Sequence, residues 1–291
     1  MGLFDRVRQM LHGGRLTVAD RFEVLRESTS GTMSQFLVVR DRRTQEIFGL
    51  KLLDKEKTEF FEARFKGLDK PSEAQIAMSF HHPRIVKTLE VGLTTAGEQY
   101  LLMEFLDGPG LNNLIRSKDA RLVGHRITLA RHMAESIDVI HQAGYIHRDI
   151  CPRNFICSKD VSSLKLIDFG LTFPNRKEFT TSGNRTGTPN YMAPEILRRR
   201  PTDQRIDIFA LGVTIYQLFA WELPWPGQDA SGAAAVLHDT RTPTDIRELC
   251  PSIHPRLAGL IHRCLAADPA ERPPNIDAIQ RILASVDRET Q

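Results

Sequence analysis

Residues 145–170 read YIHRDICPRNFICSKDVSSLKLIDFG. Two aspartates stand in this stretch, in different local settings. Asp149 closes the triplet His147-Arg148-Asp149, and Asn154 follows five residues later. Asp168 opens Asp168-Phe169-Gly170, directly after the short apolar run at 164–167.

The surrounding chain is that of an ordinary globular protein. Its 291 residues suffice for one large domain or two lobes with proper cores. Hydrophobic residues make up 41% and charged residues 26%, which excludes a disordered or fibrous chain. A net charge of +3 is too small to argue for a nucleic-acid partner. The four cysteines, Cys151, Cys157, Cys250 and Cys264, show no CxxC spacing and no zinc-type histidine partners, so they read as free thiols in a reducing, cytoplasmic setting. No secretory signal is visible. The most membrane-like segment, residues 206–225, carries Asp207, Gln217 and Glu222 and ends among prolines, so it reads as a buried core helix.

Residues 1–19 form a leader in which Leu3, Phe4, Val7, Met10 and Leu11 recur at helical spacing up to Gly13-Gly14. One short, weakly charged amphipathic segment holds a bilayer poorly, so membrane contact through it is not expected. Position 6 is Arg6, which breaks the myristoylation pattern. From residue 20 the chain is β-rich, with strands expected at 22–25, 36–39, 47–53, 86–93 and 99–105. A helix over 72–78 follows Pro71 and ends at His82-Pro83. The breaker cluster Asp107-Gly108-Pro109-Gly110 marks a hinge just before it. Helices are expected at 111–117, 126–142 and 206–220, with a polar loop at 173–188, a Gly/Ala-rich link near 226–235 and short helices to the end. A β-rich part followed by a helical part predicts an α+β, two-lobed fold.

The triplet at 147–149 with Asn154, and Asp168-Phe169-Gly170, resemble the H-R-D…N and D-F-G signatures of eukaryotic-type (Hanks-type) serine/threonine protein kinase catalytic domains. A third block, Gly187-Thr188-Pro189-Asn190-Tyr191-Met192-Ala193-Pro194-Glu195, resembles the end of the kinase activation segment in its serine/threonine form. The resemblance spans residues 20–285, and its motifs are jointly highly specific. It implies a small N-lobe at 20–106 with one main helix, a larger helical C-lobe at 107–285 and a tail at 286–291. It also implies transfer of the γ-phosphate of ATP, with Mg2+, to serine or threonine hydroxyls of protein substrates.

Phosphoryl transfer depends on positioning and charge neutralisation more than on covalent chemistry. The family supplies a lysine on the phosphates, metal ligands and an acceptor for the hydroxyl proton. Lys51 ends a strand resembling V-A-I-K, and Glu73 is the expected partner on the helix, with Glu62 as the second choice. Asp149 resembles the residue that accepts or orients the substrate proton. Asn154 and Asp168 resemble the metal ligands, an amide and a carboxylate being the hard oxygen donors magnesium takes. The implied ATP-binding set is Ser28, Thr29, Gly31, Ser34, Phe36, Gly49, Lys51, Met103, Glu104, Leu106 and Ile156. Arg148 resembles the arginine that receives a phosphate on the activation loop, where Thr180, Thr181, Ser182 and Thr186 are available acceptors. Glu195 is expected to pair with Arg272, and Asp207 to brace the catalytic loop. No sensor segment is recognisable, which assigns any input to a regulatory partner or to autophosphorylation.

The pattern departs from the family twice. Of the three glycines of the phosphate loop only Gly31 remains, and Phe36 stands where a valine packs on adenine, with Gly49 on the next strand to make room for it. Cys151 also replaces the lysine that serine/threonine kinases carry two residues after the catalytic aspartate. Arg153 stands where tyrosine kinases often place an arginine for a related job, and is expected to supply that charge. These departures define the alternative reading, a pseudokinase that acts as a nucleotide-binding or scaffolding module.

Overall fold

The computed structural model describes residues 14–28, 34–181, 186–225 and 238–290. Residues 1–13 of the expected leader at 1–19, together with Thr29, Gly31, Ser182 and the link near 226–235, lie outside the described residues. The chain forms two compact units, dividing between Asp107 and Gly108.

The first unit is an antiparallel sheet of five strands in the order β1-β2-β3-β5-β4. The strands are β1 (Phe22–Ser28), β2 (Ser34–Asp41), β3 (Ile47–Leu53), β4 (Thr88–Leu93) and β5 (Gln99–Glu104). Apolar residues alternate along them, as a pleated strand requires. Leu37 and Val39, Leu50 and Leu52, and Tyr100 and Leu102 thus meet Phe22 in one buried cluster. The β2–β3 turn is closed by Asp41, whose Oδ1 accepts from the Arg43 and Thr44 amides. Arg21, at the end of α1 (Val18–Arg21), ties this corner to Glu90 through paired bonds of 2.8 and 3.0 Å. β1 and β2 run longer than expected because polar Arg26 and Glu27 still pair along the ladder, past a bulge between Val24 and Arg26.

Two helices follow β3. The first, α2 (Lys55–Glu62), was not expected: KEKTEFFE is largely polar and buries only Phe61. Its start signal is Asp54, whose side chain accepts from the Lys57 amide. The second, α3 (Glu73–Ser79), opens on a capping box in which Ser72 and Gln75 exchange bonds, and it buries Ala74, Ile76 and Ala77. Lys70 lies in the link between them and is tied back to the first. Its ammonium pairs with Glu62 at 2.8 Å and lies over the rings of Phe61 and Phe65. Glu62 is therefore engaged with Lys70, which corrects its standing as second choice for Lys51.

The second unit is mainly helical. It contains α4 (Leu111–Arg116), α5 (Arg126–Gln142), α6 (Lys177–Thr180), α7 (Pro194–Leu197), α8 (Arg205–Ala220), α9 (Ile246–Leu249), α10 (Pro255–Cys264) and α11 (Ile276–Ala284). Every residue of α8 except Arg205 and Gln217 is buried, so α8 is the core around which α5 and α10 pack. An all-round apolar helix of this length belongs inside a domain. Two small ladders complete the unit: β6 (Tyr145–Ile146) with β9 (Phe173–Pro174), and β7 (Phe155–Cys157) with β8 (Leu164–Leu166). The stretch expected as one polar loop at 173–188 thus contains β9 and α6, because Phe173 and Phe179 stack on each other with centroids 6.1 Å apart. The last residues pack on this unit too: Val286 is buried and Glu289 pairs with Arg126 at 2.7 Å.

Candidate active site

In the first unit, Lys51 lies inside β3 and its Nζ is 2.5 Å from Glu73 Oε1, both side chains nearly buried. Strand register and capping box together create this pair. The register sets Lys51 opposite Phe36 on β2 and Leu101 on β5, and Ser72 fixes Glu73 at the first position of α3. Beside it, Phe36 occupies the space over Gly49: a Cβ there would fall 2.9 Å from Phe36 Cζ. The glycine and the phenylalanine are thus one paired departure. Ser28 ends β1 opposite Phe36, and Ser34 opens β2 opposite Leu53. Met103 and Glu104 end β5, Glu104 accepting from the Lys87 amide at 2.8 Å, and Leu106 is half-buried.

In the second unit, the hairpin β7–β8 brings the two halves of residues 145–170 together. Phe155 pairs with Leu166, and the next bond along runs from the Ile167 amide to the Asn154 carbonyl at 2.8 Å. Asn154 and Asp168 therefore flank one end of the hairpin. Ile156 also forms an isolated antiparallel bridge with Gly110. Asn154 Nδ2 donates to the Asp149 carbonyl at 2.7 Å and to Asp149 Oδ2 at 3.0 Å. With its nitrogen committed there, its amide oxygen is the donor atom left for a cation. Asp168 Oδ1 accepts from the Gly170 amide at 2.9 Å, and its backbone is left-handed at φ 70. Phe169 is buried against the edge of His147.

Asp149 is held from every side. Its Oδ1 accepts from the Thr188 amide at 2.9 Å and from the Thr188 hydroxyl at 2.6 Å. The same hydroxyl oxygen accepts from Arg153 at 2.8 Å and lies 3.6 Å from Cys151 Sγ. Thr188 is thus the hub joining both residues of the second departure to Asp149. Burial, and then the Asp149 carboxylate, push the Cys151 thiol up to about 12, so it is present as a neutral thiol.

The backbone before Asp149 hangs from α8. Asp207, fully buried, accepts from the His147 amide at 2.8 Å, the Arg148 amide at 2.8 Å and His141 Nε2 at 2.9 Å. Burial alone would raise its carboxyl; the bond from His141 and the charges and amide around His147 bring it below the usual range. Arg148 adopts φ 70, and its guanidinium donates to Thr186 at 2.7 Å and covers the Phe173 ring. Gly187, at φ 131, passes so close that a Cβ would fall 2.9 Å from the Arg148 carbonyl. Glu195 and Arg272 form a buried two-bond pair at 2.7 and 2.8 Å. Thr180 is half-buried at the end of α6 and Thr181 is exposed. Among the described residues no group of acidic, histidine and cysteine side chains forms a ready metal cluster; Asn154 and Asp168 supply amide and carboxylate oxygens only.

The family model for the protein kinase domain matches residues 22–284. The chain belongs to the protein kinase family. Its relatives within that family include the serine/threonine-protein kinase pkn3 of Myxococcus xanthus, 29% identical over 94% of this chain and 51% of that protein. The serine/threonine-protein kinase PknB of Mycolicibacterium smegmatis is 28% identical over 88% of this chain and 41% of its own length. The serine/threonine-protein kinase PAK mbt of Drosophila melanogaster is 28% identical over 87% of this chain and 37% of that protein. This kinase chain therefore spans about half, or less, of the length of the curated relatives it matches. The family bears out the two-lobed α+β fold expected from a β-rich part followed by a helical part, and it implies the use of ATP and a divalent metal.

Two residues here had no sequence motif of their own. Lys70 pairs with Glu62 and so engages the second-choice partner of Lys51, and His238 meets the 187–195 segment at the Met192 carbonyl. Both are isolated in sequence, so no spacing could have signalled them.

Proposed function

We propose that this chain is an ATP- and Mg2+-dependent serine/threonine protein kinase. The observation that carries the reading is the arrangement around Asp149: a carboxylate oriented by Asn154 and Thr188, with Arg153 one bond away. In this reading Asp149 accepts or orients the proton of the substrate hydroxyl. Asn154 and Asp168 hold the metal, which when bound neutralises phosphate charge. Arg153 does the work that lysine does elsewhere in the family, with Thr188 fixing its guanidinium. Lys51, held by Glu73, binds the α- and β-phosphates. Ser28, Thr29, Gly31, Ser34, Phe36, Gly49, Met103, Glu104, Leu106 and Ile156 line the nucleotide. Arg148 and the acceptors Thr180, Thr181, Ser182 and Thr186 form the regulatory set, already linked by the Arg148–Thr186 bond. The names of the relatives support protein hydroxyls as acceptors. The domain limits 20–106 and 107–285, and a regulatory partner for input, belong to the same proposal. So does a cytoplasmic location, supported by four cysteines that are all free thiols.

Among the described residues no helix is long and apolar enough to cross a membrane. The test is transfer of labelled phosphate from ATP, with magnesium, to a generic protein acceptor, run beside Asp149→Asn. Label well above that variant is expected. Label no greater than that variant's would overturn the reading.

A further inference from the structure

The segment from Gly187 to Glu195 touches Asp149 on one side, through Thr188. On another side it meets His238, which is 2% exposed and has Nδ1 2.9 Å from the Met192 carbonyl. A carbonyl oxygen only accepts, so Nδ1 carries the proton. Burial holds the imidazole below its ordinary pKa, which favours this neutral tautomer. The ring is held in turn: it stacks on Trp225 with centroids 4.2 Å apart and lies 5.6 Å from Phe209 of α8. The next residue grips the far end of the same stretch. Asp239 accepts two bonds, 2.7 and 2.8 Å, from Arg198 at the end of α7. Met192 reaches back to the catalytic loop, since it lines one small recess with Asp149, Thr188 and Tyr191. Tyr191 is fixed independently by its bond to Gln217 of α8 at 2.6 Å.

We propose that His238 is a positioning residue for the protein substrate: by fixing the Met192 carbonyl against the Phe209–Trp225 stack, it sets the surface at 187–195 on which the acceptor peptide lies. This inference rests on the kinase reading above. Its signature is selectivity. The contact supports the acceptor side of the reaction, so affinity for protein substrate depends on it and affinity for ATP does not. Asp239 adds a lesser restraint, because its pair with Arg198 is partly exposed.

Two variants separate the parts of the contact. His238→Phe keeps a ring in the stack and removes the donor. His238→Asn removes the ring and keeps an N–H donor near the position of Nδ1. Steady-state kinetics of the full chain with a protein acceptor is the first readout, and hydrogen exchange of the amides in 187–197 is the second. His238→Phe is expected to raise KM for the acceptor about tenfold, the size of one lost hydrogen bond to a buried carbonyl. KM for ATP stays within about twofold, exchange in 187–197 speeds up, and His238→Asn recovers most of both effects. Equal rises in the two KM values, or unchanged exchange in His238→Phe, would overturn the inference while an active wild type leaves the kinase reading standing. A wild-type chain that transfers no phosphate sinks the kinase reading, and the substrate role of His238 with it.

Discussion

The hydroxyl of Thr188 donates to Asp149 Oδ1 at 2.6 Å and accepts from Arg153 at 2.8 Å. One oxygen thus orients both the carboxylate and the cation that the reaction is proposed to use. A methyl group in its place removes the Thr188 acceptor of Arg153 and leaves Asp149 with one bond fewer. Bonds to charged groups contribute about 1.5–3 kcal/mol each, so Thr188→Val is expected to lower kcat about 10- to 100-fold. Thr188→Ser keeps the oxygen and stays within a few-fold of wild type. Comparable losses in both variants would show that the hydroxyl is not the working group.

Arg153 follows from the same geometry. Its guanidinium is proposed to act on the transferring phosphate, where charge matters more in the transition state than in the bound nucleotide. Arg153→Ala should lower turnover far more than it raises KM for ATP, and Arg153→Lys, a point charge on a different stem, should recover only part. Unchanged turnover in Arg153→Ala would refute this.

Phe36 and Gly49 are expected to behave as one unit. Gly49→Ala puts a methyl group 2.9 Å from Phe36 Cζ, closer than carbon atoms tolerate. Overpacking of this kind costs about 1–3 kcal/mol. Phe36→Val opens the space, so the double variant should regain the stability that Gly49→Ala loses. Thermal unfolding of the two single variants and the double gives the coupling; strictly additive effects would mean that the ring moves aside at no cost. Binding of a non-hydrolysable ATP analogue to Phe36→Val measures occlusion directly. Tighter binding is expected if the ring fills part of the adenine space, and unchanged affinity rules that out.

These relationships show what the sequence could and could not disclose. The H-R-D…N and D-F-G motifs and the 187–195 block are short and local, so the resemblance to the family could be recognised in them, while the two-lobed fold was expected from a β-rich part followed by a helical part. Helix α5 matched its expected limits, 126–142, because its apolar residues recur three and four apart. Helix α2 was hidden because its periodic signal is nearly absent, Phe61 being its one buried residue. Strand β4 begins at Thr88, two residues later than expected, since Val86 is buried by packing and not by pairing in the sheet. At the site, the Lys51–Glu73 pair and the Glu195–Arg272 pair could be named from the resemblance. Thr188 as a three-way hub could not: hydrogen bonds between loops distant in sequence leave no period or spacing to read.

Three buried thiols should shape the alkaline limit of stability. Burial pushes Cys151, Cys157 and Cys264 each up to about 12, from an ordinary value near 9.0. A thiol whose pKa is raised on folding favours the folded state below its unfolded pKa, and that advantage is lost as pH rises from 9 towards 12. The melting temperature should therefore fall as pH rises from about 9 towards 12. Cys264→Ala, although less stable at pH 7, should show a shallower fall. An identical slope in that variant would mean that other groups govern the alkaline transition.

Glu195 and Arg272 form an ion pair whose side chains are 6% and 0% exposed. Removing one partner from such a pair strands a buried charge, at a cost of about 3–5 kcal/mol. Arg272→Met should lower the unfolding free energy by that order, and Glu195→Gln added to it should restore part by removing the stranded carboxylate. Denaturant titration of wild type, single and double variants decides the matter; a double variant no better than Arg272→Met would show that the guanidinium's bonds to the Ala266 and Arg205 carbonyls matter more than its charge.

Asp207 gives the catalytic loop an unusual kind of permanence. The amides of His147 and Arg148 end on a carboxylate inside the most enclosed helix of the unit. They can be released only by an event that opens the core itself. In hydrogen exchange these two amides should rank with the slowest of the protein, even though they belong to a loop. The backbone that carries Asp149 then has the same lifetime as the folded unit.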